Sequence, residues 1–559
     1  MDKNTLLAVV LSMLIIMIWF RGAQGPPQNR AAAPGAAVST GGNKESVPEE
    51  AAGRDMPEKE PEKKITVETK ESIIELSSKG GSITNWYIKE KANDKLKMTD
   101  LVFKKKAQFL PVMLRAGEMG DFSEKEFRVE TEGIYDGTYI ALDNGQQKEI
   151  AFSYKTGDMI FSKIYSFSYE GFVQGFKVKV KNLSREAKKL KDLGVLWGPG
   201  VGISYEGENK KEKDNYERMN KENYMNMKVL SFADGRVRKK LKGGEYLPDI
   251  SWTGIVNRYF MNAFINERKD FNKFILDYGS VQELEKGFLT GERLANKRIL
   301  QVGLCRDVLE LKPGEEKTLE LSIYSGLRKK EELLKAEGSL EAVNTQGWLG
   351  PVRAAIKAVL MFFYKVTRSY GIAIILLSCS LQLLMFPLSA NSMKANKRMK
   401  ELQPLMKDLQ VKYKNDPKRL NAEVMELYKK KGVNPFSGCL PIIPQMPIFF
   451  ALFTVLRESV ELRYEGFFWV PDLTMMDPVY ILPIMMGAAM FFQQKFTAPA
   501  GGDPAQAKMM LFMPVLFTFM FLKFPAGLVL YWLTSNILGL LQYAFYASKE
   551  KRNRVLAVP

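Results

Sequence analysis

The stretch GIAIILLSCSLQLLMFPLSA, residues 371–390, decides how the rest of the chain is interpreted. It is almost wholly apolar and about as long as a helix needs to be to cross a bilayer. A glutamine, Gln382, stands in its middle, and Ser378 precedes it by one helical turn, so both fall on one helix face. Polar side chains inside a membrane span face other helices or water. The stretch therefore predicts a transmembrane helix with one polar face.

Five apolar stretches of this kind lie in the C-terminal part, at residues 370–388, 437–459, 479–496, 509–524 and 526–546. The sequence KFPAG, residues 523–527, spans the boundary between the last two and predicts a tight turn. A further apolar run, Leu6–Phe20, stands at the start of the chain. Together these stretches predict a polytopic α-helical membrane protein with six transmembrane helices.

The N-terminal region is predicted to be a membrane anchor followed by a tether. Residues 1–21 contain the first apolar run and only one basic residue before it, Lys3, which favours an uncleaved signal anchor over the alternative, a cleaved signal peptide. Residues 22–62 are rich in Pro, Ala, Gly and Glu, a composition typical of a disordered linker.

Residues 63–335 alternate between apolar and polar side chains, which predicts strands of a large all-β sandwich. The segment ITVETKESIIELSSKGGSITNWYI alternates on both sides of Gly80-Gly81 and predicts a hairpin. FKVKVKNLS and KTLELSIYSG show the same period. Residues 345–366 then place apolar side chains on one helical face, which predicts an amphipathic helix at a membrane interface.

The loop charges predict the orientation of the spans. Between Ser389 and Pro435 there are 12 Lys+Arg and 5 Asp+Glu, which gives +7. Between Val460 and Pro478 there is one Arg and there are four acidic residues, which gives −3. The tail, residues 548–559, has four basic residues and one acidic residue, which gives +3. Because cytoplasmic loops are enriched in Lys and Arg, both termini are predicted to be cytoplasmic and the β domain to be outside.

The segment 389–435 is predicted to be a basic helical hairpin, since apolar residues are spaced three and four apart on each side of the sequence NDP. Its basic side chains either form a solvated face or dock on an anionic surface, which would be lipid headgroups or ribosomal RNA. The residues predicted to recruit partners are Lys397, Arg398, Lys400, Lys418 and Arg419.

The amino-acid composition excludes several kinds of catalytic and metal-binding site. The 559 residues carry a formal charge of +18 and contain no histidine, which excludes Ser-His-Asp catalysis and histidine zinc sites. Three cysteines imply no disulfide framework. An enzyme would therefore need a carboxylate, lysine or cysteine mechanism instead.

Several motifs together are similar to the signature of the YidC membrane protein insertases. They are LQPLMKDLQVKY (402–413), NPFSGCLPIIPQMPIFFALFTVLRESVELR (434–463), DPVYILPIMMGAAMFFQQK (477–495) and MPVLFTFMFLKFPAGLVLYWLTSNILGLLQ (513–542). The β domain and the long tether resemble the Gram-negative members, whose periplasmic domain is a β-supersandwich. The resemblance implies an inner-membrane protein whose five core helices surround a hydrophilic groove open to cytoplasm and lipid.

The resemblance also implies a function: nascent inner-membrane proteins are inserted and folded, alone or alongside the Sec translocon. Ribosomes and anionic lipid headgroups are the other expected partners, and the resemblance implies no small-molecule substrate, enzymatic reaction, nucleotide, metal or other cofactor. The residues predicted to line the groove are Ser378, Gln382, Gln445, Thr454, Tyr531, Trp532 and Asn536. Those predicted to form an apolar slide for the inserting segment are Met446, Ile448 and Phe449.

The chain departs from the family pattern at Gln382, where most relatives carry an arginine. A charge that would attract acidic tails of substrates is therefore missing, although Gln382 still donates and accepts hydrogen bonds. Each groove residue could instead serve in packing between helices. Two other classes of protein share features with this sequence: a small-solute transporter or channel, and a membrane-anchored carbohydrate-binding β protein. No Asp or Glu lies in the interior of a predicted span, where it could couple to an ion, which weakens the first alternative.

Overall fold

The structure is a computed structural model. It describes residues 61–92, 95–102, 110–198, 200–202, 227–239, 243–279, 298–344, 348–414, 416–433, 442–497 and 504–556. The predicted anchor and almost all of the predicted tether lie outside the described residues.

The first part of the described chain is built from β-strands. In chain order they are β1 Lys64–Glu68, β2 Ser72–Ser77, β3 Ser82–Ala92, β4 Lys95–Asp100, β5 Met113–Ala116, β6 Gly120–Asp121, β7 Arg128–Val129, β8 Thr138–Ala141, β9 Gln147–Thr156, β10 Met159–Ser168, β11 Val173–Asn182, β12 Lys188–Trp197, β13 Lys228–Ala233, β14 Arg236–Arg238, β15 Ile250–Val256, β16 Phe260–Ile265, β17 Lys273–Gly279, β18 Arg298–Leu311 and β19 Glu316–Leu327.

These strands form three sheets around one core. The sheet orders are β4-β3-β2-β1-β8, β14-β13-β15-β16-β19-β11-β10-β9-β7 and β17-β18-β12-β5-β6. Strand β10 shows how a strand contributes to this core. Its side chains are alternately buried and partly exposed, so that Phe161, Tyr165 and Phe167 enter the core. Trp86 of the first sheet meets Trp197 of the third with ring centroids 6.3 Å apart. The hairpin at Gly80-Gly81 joins β2 to β3 in antiparallel pairing.

The second part is helical. Its helices are α1 Lys330–Ala336, α2 Gly350–Thr367, α3 Tyr370–Glu401, α4 Gln403–Lys412, α5 Pro417–Lys430, α6 Ile442–Glu458, α7 Ile481–Thr497, α8 Pro504–Phe521 and α9 Ala526–Leu556. Short 3₁₀ turns lie at Gly117–Met119, Gly338–Val343 and Val460–Leu462. The predicted division into a β-rich part and a helical C-terminal part is confirmed.

Helix α9 is the centre of the bundle, because it packs against α3, α6 and α7. Helices α7 and α8 pack together, and α2 lies across α3 and α6. Helices α7 and α8 approach each other closely at Gly487, where an added Cβ would overlap the hydroxyl of Thr518. Close approaches at small residues of this kind are typical of helices that pack inside a bilayer.

Helix α3 differs from the prediction, because it does not end near Ser389. It runs through Pro387 and continues to Glu401, so that Lys397, Arg398 and Lys400 lie on its extension and not in a separate hairpin. No helix-breaking residue follows Pro387 before Glu401, which explains the continuation. The hairpin itself consists of α4 and α5, and Asp416 caps α5 by accepting a hydrogen bond from the backbone N–H of Arg419, 3.1 Å away.

Among the described residues, two helices are long and apolar enough to cross a membrane by length and composition, Tyr370–Met399 and Ala526–Ser548. Phe512–Phe521 is a shorter apolar helix. The outside of the bundle is nevertheless strongly apolar, since large side chains on several helices are exposed, among them Leu383, Ile484 and Phe519. Apolar patches of this extent are uncommon on soluble monomers and mark interaction with a membrane or a partner.

The β domain is fixed to the loop between α6 and α7 by a buried ion pair. Arg463 of that loop donates from Nη1 to Oε2 of Glu90 on β3, 2.7 Å away, and the two side chains are 2% and 8% exposed. The guanidinium also lies over the rings of Tyr259 and Phe260, 5.3 and 4.7 Å from their centroids. A second arginine, Arg258, donates to the backbone carbonyl of Thr474, 3.1 Å away. The two parts of the chain are therefore joined by specific polar contacts.

Candidate functional site

Gln382, in the middle of the apolar stretch 371–390, contacts the last helix of the bundle, α9. Gln382 on α3 donates from Nε2 to Oε1 of Gln542 on α9, and the two atoms are 3.2 Å apart. Gln542 is buried, and its Nε2 has no hydrogen-bond partner among the described residues. Ser378, on the same face of α3, donates to the carbonyl of Ile374 in its own helix, 2.7 Å away. The polar face of α3 therefore meets α9 through an amide pair, and Ser378 needs no further partner.

A second amide contact joins α6 to α9. Gln445 donates from Nε2 to the hydroxyl of Tyr531, 3.4 Å away, and Tyr531 is almost fully buried. Tyr531 and Gln542 are about three helical turns apart, so they lie on the same face of α9. One face of α9 thus presents polar groups to both α3 and α6.

Asn536 lies on the stretch of α9 between these two contacts. Its side chain is buried, and its Nδ2 has no hydrogen-bond partner among the described residues. A buried amide without a partner costs about 1–3 kcal/mol. The bundle therefore holds two buried donors, on Asn536 and Gln542, for which no described residue supplies an acceptor.

Trp532 lies within an aromatic cluster of the bundle. Its ring is 5.0 Å from that of Phe449 and 5.1 Å from that of Phe521, both in edge-on contact. Phe449, predicted to belong to the apolar slide, is only 5% exposed because it packs inward against this cluster. Of the predicted slide residues, Met446 is 38% exposed and Ile448 is partly buried. Met446 is therefore the slide residue that the structure places on the surface.

Thr454 lies away from the amides. Its hydroxyl donates to the carbonyl of Phe450 in its own helix, 2.9 Å away. It is about 13 Å along α6 from Gln445. There it lines a cavity near Glu458 and Lys357, at the end of the bundle that faces the β domain.

The predicted recruitment residues lie at the opposite end of the bundle. Lys397 and Glu401 form an ion pair of 3.8 Å on α3. Arg398 and Lys418 are exposed, and the guanidinium of Arg419 lies 5.5 Å from the ring centroid of Tyr413. The side chain of Lys400 lies outside the described residues. The hairpin has its own small core, consisting of Met399, Leu402, Met406, Tyr428 and Val433.

The sequence prediction did not include Gln542 among the groove residues, although it is a polar residue in an apolar span like the others. It also did not anticipate the ion pair of Arg463 with Glu90. The signal for Arg463 was present, since it is the one basic residue in an otherwise acidic loop. Among the described residues, no group of three or more Cys, Asp or Glu side chains could hold a metal ion.

Comparisons with known proteins agree with this division of the chain. The family model described as the YidC periplasmic domain matches residues 64–359, and the model described as the 60Kd inner membrane protein matches residues 362–553. A membrane protein insertase YidC from Endomicrobium trichonymphae is 33% identical over 98% of this chain and 99% of its own length. One from Geotalea daltonii is also 33% identical, over 98% of this chain and 99% of its length.

Among solved structures, this chain is similar to an active YidC insertase crystal structure with the first transmembrane domain resolved. The match covers 87% of this chain and 94% of the chain in that structure. It is 20% identical in sequence, with a TM-score of 0.37. The two family models together span nearly all of the described residues, and the relatives match over almost their full length. The chain therefore belongs to the YidC family of membrane protein insertases.

Proposed function

We propose that the chain inserts nascent inner-membrane proteins through a groove lined by Gln382, Gln445, Tyr531, Asn536 and Gln542. The polar part of a nascent chain enters the groove from the cytoplasm, while its apolar segment leaves along the exposed outer face near Met446. The process needs no covalent chemistry, nucleotide or metal. Hydrogen-bond donors that are buried but unpartnered, on Asn536 and Gln542, are the observation that carries this proposal.

A buried donor without a partner raises the free energy of the folded bundle. Polar side chains within a bilayer are retained where they meet partners or water. A bundle held together only by interhelical hydrogen bonds would be expected to satisfy both amides, because an unmade hydrogen bond in a low-dielectric interior is costly. Unpartnered donors on the helix that carries the amide pair fit a site that peptide and water occupy in turn.

The proposed topology has six transmembrane helices, with the N- and C-termini and the α4–α5 hairpin in the cytoplasm and the β domain in the periplasm. The loop charges of +7, −3 and +3 support it. Exposed basic residues, such as Arg398 and Lys418, would then face the ribosome and anionic headgroups. We also propose cooperation with the Sec translocon, because the resemblance to the YidC family implies it.

Site-specific photo-crosslinking tests the groove. A photoreactive residue at position 382 is expected to form adducts with a nascent membrane protein on stalled ribosomes, and adduct yield should rise and fall with chain length. The matched control is position 541, because Leu541 is on the same helix as Gln542 but is 61% exposed on the outside of the bundle. Equal yields at both positions, or none at 382 at any length, would leave the amides as helix-packing groups.

Gln382→Arg tests whether the groove selects by charge. In this chain the polar groups at the α3–α9 contact are uncharged, so acidic and neutral translocated tails are expected to be inserted with similar efficiency. An arginine at 382 should favour acidic tails by about tenfold if a charge-assisted hydrogen bond is added. The measurement is the insertion efficiency of an acidic-tailed substrate divided by that of a neutral-tailed one. The two substrates are matched and carry two acidic or two neutral tail residues. If the wild-type protein already strongly preferred acidic tails, a groove that works by neutral hydrogen bonding would be wrong.

A further inference from the structure

A tight turn in the loop between α6 and α7 carries two exposed aromatic side chains. The backbone N–H of Phe467 donates to the carbonyl of Val470, 2.8 Å away, and the N–H of Val470 donates to the carbonyl of Phe467, 3.0 Å away. Between them, Phe468 and Trp469 form the turn, and their side chains are 84% and 40% exposed. Residues 467–470 are called the aromatic hairpin below. Its two backbone hydrogen bonds hold both rings at the tip of a small, closed structure.

The backbone of Phe468 is strained. Its φ of +52° lies in the left-handed region, which glycine adopts freely and which is a genuine outlier for a bulky side chain. The ring lies against those of its neighbours Phe467 and Trp469, with centroids 4.4 and 6.1 Å apart, and is otherwise exposed. Packing within the protein therefore does not explain a phenylalanine at this position.

The base of the hairpin is fixed to the beginnings of two helices. The ring of Phe467 lies on Gly371 in the first turn of α3, where an added Cβ would be 2.0 Å from the nearest ring atom. Trp469 donates from Nε1 to Oδ2 of Asp477, 3.3 Å away, and the same oxygen accepts from the N–H of Leu482 in the first turn of α7, 2.7 Å away. The hairpin therefore lies at the level where α3 and α7 begin.

The exposed apolar surface continues from the hairpin onto these helices. Ile372 in the first turn of α3 and the adjoining Tyr480 and Ile481 at the start of α7 are exposed. Helix α3 is also one of the described helices that are long and apolar enough to cross a membrane. The hairpin segment GFFWVP, residues 466–471, contains no charged residue, although the loop that holds it has a charge of −3. Lipid that surrounds the helices would therefore reach the hairpin without crossing a charged surface.

We propose that the aromatic hairpin enters the membrane interface, where the rings of Phe468 and Trp469 contact lipid chains just below the headgroups. Aromatic side chains at the ends of membrane spans occupy this level, because their rings are apolar and their polar atoms remain near water. Lipid contact removes both rings from water and offsets the backbone strain of Phe468. The same loop carries Arg463, whose ion pair with Glu90 holds the β domain. The hairpin thus ties the β domain to the bilayer surface.

The assignment goes beyond insertion and depends on the proposed orientation only for which leaflet receives the hairpin. The depth of the hairpin is measured on the full-length protein in liposomes, without ribosomes or nascent chains, so its failure differs from a failure of the groove. A fluorescent amino acid is encoded at position 468. Its emission is quenched either by phosphatidylcholines brominated at two chain depths or by iodide in the water. We expect the fluorophore about 5–10 Å inside the headgroup boundary, with little quenching by iodide.

Position 135 is the matched control, because Tyr135 is an aromatic residue that is 69% exposed on the β domain. It precedes β8, the edge strand that lies three strands from β3 in the first sheet. A fluorophore there should be quenched by iodide and not by brominated lipid. The same label at position 469 should report the depth found at 468, since the hairpin enters as a unit. Thermal unfolding of each labelled protein shows that it is folded.

Two results would overturn the assignment. If iodide quenches position 468 as strongly as position 135, the hairpin lies in water. If position 468 is protected from iodide but is not quenched by either brominated lipid, the rings are covered by protein, as in contact with a second copy of the chain. A photoreactive residue at 468 that forms adducts with a nascent chain, in a protein that shows no lipid quenching, would assign the tip to the client instead.

Discussion

Arg463→Leu is expected to lower the free energy of unfolding of the β domain in the intact protein by about 3–5 kcal/mol. The substitution leaves the carboxylate of Glu90 buried, at 8% exposure, without the cation 2.7 Å away. It also removes the guanidinium from the rings of Tyr259 and Phe260. A single unpaired charge in a low-dielectric site costs more than the pair itself contributes, which is why the loss of one partner has so large an effect.

The measurement is thermal unfolding of the full-length protein in detergent, combined with limited proteolysis of the β domain. Arg463→Leu should unfold at lower temperature and be cut faster. Combining it with Glu90→Leu removes both charges and should recover much of the loss, because no buried ion remains. The matched control is Lys189→Leu, which breaks the exposed pair with Glu310 and should leave the transition unchanged. A double variant no more stable than Arg463→Leu would show that the ion pair is not what joins the two parts.

The elements that depend on local pattern were predictable. Alternation in FKVKVKNLS and KTLELSIYSG falls in β11 and β19, because a two-residue period needs only one buried face. The apolar stretches fall in α3, α6, α7, α8 and α9 for the equivalent reason in helices. The extension of α3 past Pro387 was not predictable, because the cost of an internal proline can be met by neighbouring packing that the local sequence does not specify.

Contacts between distant parts of the chain could not be predicted from the sequence. Gln382 shares a helix face with Ser378, but a shared face does not identify the helix that either side chain contacts. The actual partner of Gln382 is Gln542, on a helix that begins more than a hundred residues later. Nothing in a single sequence ranks Gln542 above the other polar residues of α9. The pairing of Arg463 with Glu90 is of the same kind, since it depends on how a β domain docks on a loop. The polar side chains of the spans could thus be identified from the sequence, but the residues that they contact could not.

Asn536→Leu is expected to reduce insertion by about tenfold while leaving the protein as stable as the wild type or more stable. The two effects have one cause. Nδ2 of Asn536 is buried without a partner, so an apolar side chain of similar size removes a desolvation cost of about 1–3 kcal/mol from the folded state. The same substitution removes a donor that a nascent chain or its water would use in the groove. A residue that only held the bundle together would behave in the opposite way, because its loss would lower stability first.

The comparison is made with the purified protein in liposomes, by following insertion of a single-span protein with a neutral tail and by measuring thermal unfolding of the same sample. Thr534→Val is the matched control on α9, because its hydroxyl already donates to the carbonyl of Leu530, 2.8 Å away, within the helix. It should change neither quantity appreciably. If Asn536→Leu lowered stability and insertion together, the amide would be a packing group whose partner forms in the membrane. If it changed neither, the path of the nascent chain would lie nearer Gln382 and Gln542 than Asn536, since a donor on the path cannot be removed without cost to a polar segment that has left water.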